Sequence, residues 1–118
     1  MKIAVPSEGR KGLEEKVAEH FGKCNTFIFL NEKGEVVEII ENVGRHKGGF
    51  ELPPEIIKKH NANIVLCKNI GLKAFNLCKK LGIEVFVGNG ETVKEMFELW
   101  KENKVKRAKV EDLCKGSK

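Results

Sequence analysis

The chain has 118 residues, of which 41% are hydrophobic and 33% charged, and its formal charge is +5. This length fits one domain with one core, and the composition is too apolar for a disordered chain. The apolar stretches are too short to cross a bilayer, and the first residues lack the features of a signal peptide. We therefore expect a cytoplasmic protein without a membrane partner.

The four cysteines, Cys24, Cys67, Cys78 and Cys114, include no CxxC pair. A zinc ribbon or finger is therefore not expected, and thiols of an intracellular chain are more often reduced than paired. Positive charge is concentrated at the end, where residues 101–118 hold seven basic and three acidic side chains. Such a run is typical of a solvated segment, so we divide the chain into a domain (1–103) and a basic tail (104–118).

The first half of the sequence predicts a strand, a short helix and a hairpin. Residues 2–5 are aliphatic and β-branched and stop at a proline, which predicts the first strand. Leu13, Val17 and Phe21 recur every four residues, which predicts one face of a short helix. Residues 26–31 and 35–41 flank a Glu-Lys-Gly turn and predict two antiparallel strands.

The second half alternates helices and strands. After a polar, glycine-rich loop, Pro53 and Pro54 open a helix that runs to about residue 60. Residues 64–67 and 83–87 predict strands, and residues 71–81 a helix between them. Thr92 caps a last helix that runs through Trp100.

This order predicts an α/β fold with a ribonuclease H-like motif. Crossover helices join parallel strands by right-handed connections, so a five-stranded mixed sheet of order 3-2-1-4-5 results. The C-terminal ends of strands one, three, four and five then share one edge, which we call the rim. Open α/β sheets bind ligands at such an edge.

The rim loops contain candidate ligands for a metal cluster. Two histidines and two cysteines fall there, and imidazole and thiolate are ligands that iron and iron-sulfur sites use. These residues are His20, His46, Cys24 and Cys67. Basic side chains lie beside them, namely Lys23, Arg45, Lys47 and Lys68, and Glu8 alone is acidic within the loops. Positive charge and glycine-rich backbone favour an anionic cluster or phosphate over a bare cation.

Residues 17–24, Val-Ala-Glu-His-Phe-Gly-Lys-Cys, followed by a strand near Phe27, resemble the dinitrogenase iron-molybdenum cofactor-binding family, which includes NifX and the NifB C-terminal domain. The resemblance extends over about residues 1–100 and includes the opening Lys-Ile-Ala-Val-Pro, the Glu41-Asn42 pair, the His46 loop and Gly71. It implies a ribonuclease H-motif domain that carries iron-molybdenum cofactor or its iron-sulfur precursors. His20 matches the position proposed as a cluster ligand, and His46 a less uniform histidine. Cys24 and Cys67 depart from the family, which has small or apolar residues there.

Together these observations predict a non-catalytic binding or carrier protein for an iron-sulfur or iron-molybdenum-type cluster. The predicted metal ligands are His20, His46, Cys24 and Cys67. The wider predicted cofactor-binding set is His20, Phe21, Gly22, Lys23, Arg45, His46, Gly48 and Lys68. A protein that donates or accepts the cluster is one possible partner, and nucleic acid is not expected because the basic residues are not interleaved with aromatics.

Three other classes of function compete with this interpretation. A two-metal nuclease of the same fold needs clustered carboxylates, and strands one and four end without an acidic residue, which excludes it. A thiol-redox role for Cys24 and Cys67 stays open if they approach closely. The remaining alternative is a small-anion or phosphate-binding module, or a protein-interaction module, without a metal cluster.

Overall fold

The structure, a computed structural model, describes residues 1–42 and 52–110. A mixed sheet of six strands forms its centre, in the order β3-β2-β1-β4-β5-β6. In chain order the strands are β1 (Ile3–Ser7), β2 (Thr26–Leu30), β3 (Val36–Glu41), β4 (Ile64–Cys67), β5 (Glu84–Val87) and β6 (Lys106–Arg107).

The strand pairing confirms the predicted order and extends it by one strand. β1 is parallel to β4 and β4 to β5, whereas β2 is antiparallel to both β1 and β3. The C-terminal ends of β1, β3, β4 and β5 therefore share the rim. The sequence does not predict β6, which pairs antiparallel with Phe86 and Val87 of β5. Ala108, just after β6, is buried, so residues 106–108 pack onto the domain.

Three helices lie where the sequence predicts them. α1 (Pro53–Lys59) begins at the two prolines, α2 (Leu72–Lys80) follows Gly71, and α3 (Val93–Lys101) follows Thr92. The Thr92 hydroxyl accepts a hydrogen bond from the Glu95 amide at 3.2 Å, which is the predicted N-cap. Within residues 1–42 and 52–110, no helix has the length and apolar character needed to cross a membrane.

The helices cover the two faces of the sheet unequally. α1 and α2 pack on one face through Ile56, Ile57 and Cys78. α3 packs on the other face through Val93 and Met96. Alternate residues of each central strand point to opposite faces, so every central strand contributes to both cores. This double coverage explains why β4 is apolar throughout.

The predicted helix over residues 13–21 is wrong. The segment instead contains two short 3₁₀ turns, Gly12–Glu14 and Phe21–Lys23. Between the turns the chain bonds to neighbouring loops, and the Val17 amide, for example, donates to the Glu91 carbonyl at 3.0 Å. Val17 and Phe21 pack on opposite faces of the sheet. Their four-residue spacing therefore does not mark one helical face.

Candidate functional site

An open concavity of about 280 Å³ lies at the rim, between the loop after β1 and the start of α2. Its described lining comes from two short stretches of chain: His20, Phe21, Gly22 and Lys23 on one side, and Asn69, Ile70, Gly71, Lys73 and Ala74 on the other. Four residues of the predicted cofactor-binding set therefore lie together in one hollow.

The first stretch is held by a buried aromatic anchor. Phe21 is 1% exposed, and its ring centroid lies 6.0 Å from that of Phe27 in β2. The Lys23 amide donates to the His20 carbonyl at 3.2 Å and closes the 3₁₀ turn. Because Phe21 points into the core, the turn leaves Gly22 and Lys23 exposed and His20 half-buried. The motif thus presents one imidazole and one ammonium group beside accessible backbone.

The lining of the concavity is positively charged. Lys23 and Lys73 are both exposed, and the described lining contains no carboxylate. α2 begins at this hollow with Gly71 as its N-cap, and its first turn contains no acidic residue. The amide groups of a helix N-terminus carry partial positive charge, which adds to that of the lysines. The charge of the described lining therefore favours an anion over a bare cation.

Lys68 of the predicted set is not part of the described lining. Its side chain is 13% exposed, and its Nζ lies 3.2 Å from Glu91 Oε1 and 3.9 Å from Glu19 Oε1. These carboxylates belong to residues just outside the predicted rim loops, in which Glu8 is the only acidic residue. The charge of Lys68 is paired within the protein. Its side chain links the β4–α2 loop to two residues that border other rim loops.

The two cysteines of the predicted set lie in the core. Cys24 is 2% exposed and Cys67 0%, and neither lines the concavity. Cys67 Sγ lies 3.8 Å from the Phe86 carbonyl oxygen. Burial, and secondarily the nearby thiols of Cys78 and Cys24, raise the pKa of Cys67. A thiol held protonated is a poor metal ligand, so the packing gives no support to Cys67 as a ligand and leaves Cys24 without access to the hollow.

The remaining predicted site residues, Arg45, His46 and Gly48, lie outside the described residues. The elements on either side of that segment are joined by an ion-pair cluster. Glu38 of β3 accepts a hydrogen bond from Lys2 Nζ at 2.6 Å, and Glu38 Oε2 lies 2.8 Å from Nδ1 of His60, which follows α1. The hydrogen bond from Lys2, assisted by His60, lowers the pKa of Glu38. β3 ends at the rim, so the chain enters this segment from the same edge as the concavity.

Five residues of the described lining are absent from the predicted set, and two of them, Asn69 and Lys73, have polar side chains. Lys73 had a detectable signal, since a basic residue in the first turn of a helix opposes the helix dipole and so indicates a role other than stabilising the helix. Asn69 had none, because an asparagine between a strand and a helix is ordinary loop chemistry.

Among the described residues, no group of three or more His, Cys, Asp and Glu side chains is arranged to hold a metal ion. His20 is the one described lining residue with a nitrogen or sulfur atom suited to ligating iron. The described lining therefore contains a single imidazole beside two lysines and no group of side chains that could hold a metal ion by itself.

Comparison with known proteins identifies the family. The family model described as dinitrogenase iron-molybdenum cofactor matches residues 1–103. An uncharacterized protein of Methanocaldococcus jannaschii, MJ0580, is 33% identical over an alignment of 112 residues, with coverage of 91% of this chain and 91% of that protein. The crystal structure of PH0822 is similar, with 31% identity, a TM-score of 0.71 and coverage of 92% of this chain and 96% of that one.

The apo form of the orange protein of Desulfovibrio gigas has the same fold, with 26% identity, a TM-score of 0.78 and coverage of 91% of this chain and 92% of that one. The family match spans most of the sequence, including His20 and the whole described lining of the concavity. This chain therefore belongs to the dinitrogenase iron-molybdenum cofactor family.

Proposed function

We propose that this chain is a non-catalytic binding and carrier protein for an anionic iron-sulfur or iron-molybdenum-type cluster, and that the cluster binds in the concavity beside His20. The observation that carries the proposal is the composition of the hollow: one imidazole, two lysines and no carboxylate in its described lining. Membership of the family supports the class of ligand.

Each part of the hollow has a role in this proposal. The His20 imidazole, when neutral, supplies one nitrogen ligand to a metal of the cluster. Lys23, Lys73 and the first amides of α2 offset the negative charge of the cluster. Ala74, which is half-buried, adds a small apolar surface beside them, and the buried Ile70 supports the floor of the hollow from the core. His46 remains the second proposed ligand, because its segment begins at the rim.

A carrier must release its cluster, and a cluster that is bound by few protein ligands is released more easily. A cluster held by one or two imidazoles and by electrostatic attraction dissociates more easily than one held by four thiolates. A protein that delivers or accepts the cluster can then compete for the same metal atoms. We therefore expect the cluster to bind reversibly and to bind more weakly as the ionic strength rises, because surface charges are screened by salt.

The non-catalytic part of the proposal rests on the polar groups at the rim. Hydrolysis of phosphodiesters by two metals needs clustered carboxylates. Glu19 and Glu91, which border the rim loops, both lie beside Lys68, with oxygens 3.9 Å and 3.2 Å from its Nζ. Thiol chemistry needs accessible thiolates, and Cys24, Cys67 and Cys78 are buried.

Anaerobic reconstitution with ferrous iron and sulfide tests the proposal, with a parallel sample that also contains tetrathiomolybdate to distinguish the two cluster types. After desalting, we expect the wild-type protein to retain iron, sulfide and visible absorption. We expect His20→Ala to retain at least about tenfold less, because loss of a metal ligand costs at least as much as loss of the partner that orients it. Lys23→Gln and Lys73→Gln should each weaken binding about two- to fivefold.

Lys33→Gln is the matched control, since Lys33 is an exposed lysine of the β2–β3 turn, outside the concavity. It should bind as the wild type does. Absence of a chromophore in the wild type, or equal retention by His20→Ala, would reject the proposal. Saturable binding of inorganic phosphate without cluster uptake would instead support the small-anion alternative.

A further inference from the structure

We infer that Asn69 is a positioning residue for His20, because it holds the main chain of His20 in the conformation in which this residue lines the concavity. This inference rests on the function proposed above, but the arrangement of Asn69 can be tested in the protein without any cluster. The observation behind it is that a single residue bonds the main chain on both sides of His20.

Asn69 makes one bond to each peptide unit that flanks His20. Its side-chain amide Nδ2 donates to the Glu19 carbonyl oxygen at 3.1 Å. Its main-chain carbonyl accepts from the Phe21 amide at 3.0 Å. The Glu19 carbonyl belongs to the peptide that precedes His20, and the Phe21 amide to the peptide that follows it.

These two bonds constrain the main-chain torsions of His20. φ and ψ of a residue describe the rotation of its two flanking peptide planes about Cα, so fixing both planes fixes both angles. His20 accordingly has the extended values φ −124° and ψ 130°. With the main chain held, only the two side-chain torsions of His20 can move the imidazole, so it samples fewer orientations than on a mobile main chain. Such restriction lowers the entropy lost on ligand binding.

The orientation of the Asn69 amide follows from the chemistry of its partner. A carbonyl oxygen can only accept a hydrogen bond, so the group 3.1 Å from it must be the NH₂ end of the amide. The same Nδ2 lies 3.4 Å from Glu19 Oε2, a longer contact. Because a charged oxygen is also an acceptor, this second contact favours the same orientation.

Two substitutions of Asn69 remove the side-chain bond and leave the main-chain bond in place. Asn69→Ala deletes the amide. Asn69→Asp keeps its shape but places an acceptor against the Glu19 carbonyl and carboxylate. Asn76→Ala is the matched control, because Asn76 is an exposed asparagine of α2 that does not line the hollow. Glu19→Gln removes the carboxylate and its ion pair with Lys68 but keeps the main-chain carbonyl, so it should lower the order parameters of His20 less than Asn69→Ala does.

The first readout is NMR of the protein without cluster. We expect both Asn69 variants to shift the ring resonances of His20 and the amide resonances of residues 20 and 21, and to lower their order parameters. The ring of His60 and the resonances of β4 should stay unchanged, which a general loss of structure would not allow. Unchanged His20 resonances in both variants would overturn the inference.

The second readout is the affinity for the cluster reconstituted from iron and sulfide. We expect Asn69→Ala to bind about three- to tenfold more weakly, with Asn76→Ala within twofold of the wild type. Equal affinity of Asn69→Ala and wild type would contradict a positioning role. If the wild type takes up no cluster, the proposed function fails, whereas the NMR comparison still decides the role of Asn69.

Discussion

Buried thiols limit the chemistry that single residues of this protein can perform. Cys24, Cys67 and Cys78 all lie in the core between the sheet and the helices α1 and α2. Desolvation raises the pKa of Cys78 to about 12, and the pKa of Cys67 is raised by the same cause. The thiolate is the reactive form of cysteine, so Cys67 and Cys78 behave as small apolar residues. Of the two thiols in the redox alternative, Cys67 is therefore held in its unreactive form.

This burial predicts slow alkylation in the native state. At pH 8 a thiol with a pKa of about 12 is ionised in about one molecule in ten thousand. We expect iodoacetamide to label Cys67 and Cys78 at least about tenfold more slowly in the folded protein than in concentrated urea at the same pH. The rate in the folded protein should still be rising at pH 9, because the thiolate fraction grows with pH up to the raised pKa. Site-resolved mass spectrometry measures the rates. Labelling of native Cys78 at the rate of the unfolded chain would contradict the assigned packing.

At the scale of elements, the connections at the rim position the site. The β5–α3 connection passes close to α3: a Cβ added at Gly90 would lie 2.5 Å from the amide nitrogen and 2.6 Å from the Cα of Met96. No side chain can rotate to relieve a contact with backbone atoms. The Lys16–Thr92 bridge and the bond from the Val17 amide to the Glu91 carbonyl join this connection to the loop that leads to His20.

Gly90→Ala should therefore destabilise the domain. We expect a loss of about 1–3 kcal/mol in the free energy of unfolding, as for other overpacking substitutions. Gly22→Ala is the contrasting variant, because a Cβ at Gly22 meets no atom within 4 Å. It should change stability by less than about 0.5 kcal/mol. Urea titration followed by circular dichroism measures the free energy of unfolding of both variants. Equal values would contradict the close approach of Gly90 to the main chain of Met96.

The hydrophobic pattern of the sequence was sufficient to predict most elements. β4 and β5 are short apolar runs between helices with recognisable caps, so their parallel pairing follows from crossover geometry. β6 could not be predicted, because it consists of only two charged residues, Lys106 and Arg107. It forms by pairing with β5. The helix predicted over residues 13–21 does not form, because the main chain of this segment makes hydrogen bonds to neighbouring loops in place of bonds within a helix.

At the scale of the whole molecule, the sheet brings distant residues to one edge. Residues 20–23 and 69–74, about fifty positions apart in the chain, face each other across the concavity. Topology could predict that both stretches reach the rim, and so it placed His20 and Lys23 correctly there. It could not predict the direction of individual side chains, which is why Lys68 was expected in the site but pairs with Glu19 and Glu91 instead.

The hollow beside His20 and the sheet face under α3 differ in their access to a ligand. The hollow beside His20 is cationic and lies at the strand ends, whereas α3 covers the opposite face with Val93 and Met96 packed against the strands. A ligand bound at the rim should therefore affect the first stretch of chain and the start of α2, and leave the middle of α3 unaffected.

NMR of ¹⁵N-labelled protein after anaerobic reconstitution with iron and sulfide tests whether a cluster binds in the hollow beside His20. A paramagnetic cluster broadens the amide resonances of residues close to it. We expect selective broadening of residues 20–23 and 69–74, with the resonances of residues 93–101 retained. A spectrum identical to that of the untreated protein, or broadening centred on α3 or on β6, would contradict it.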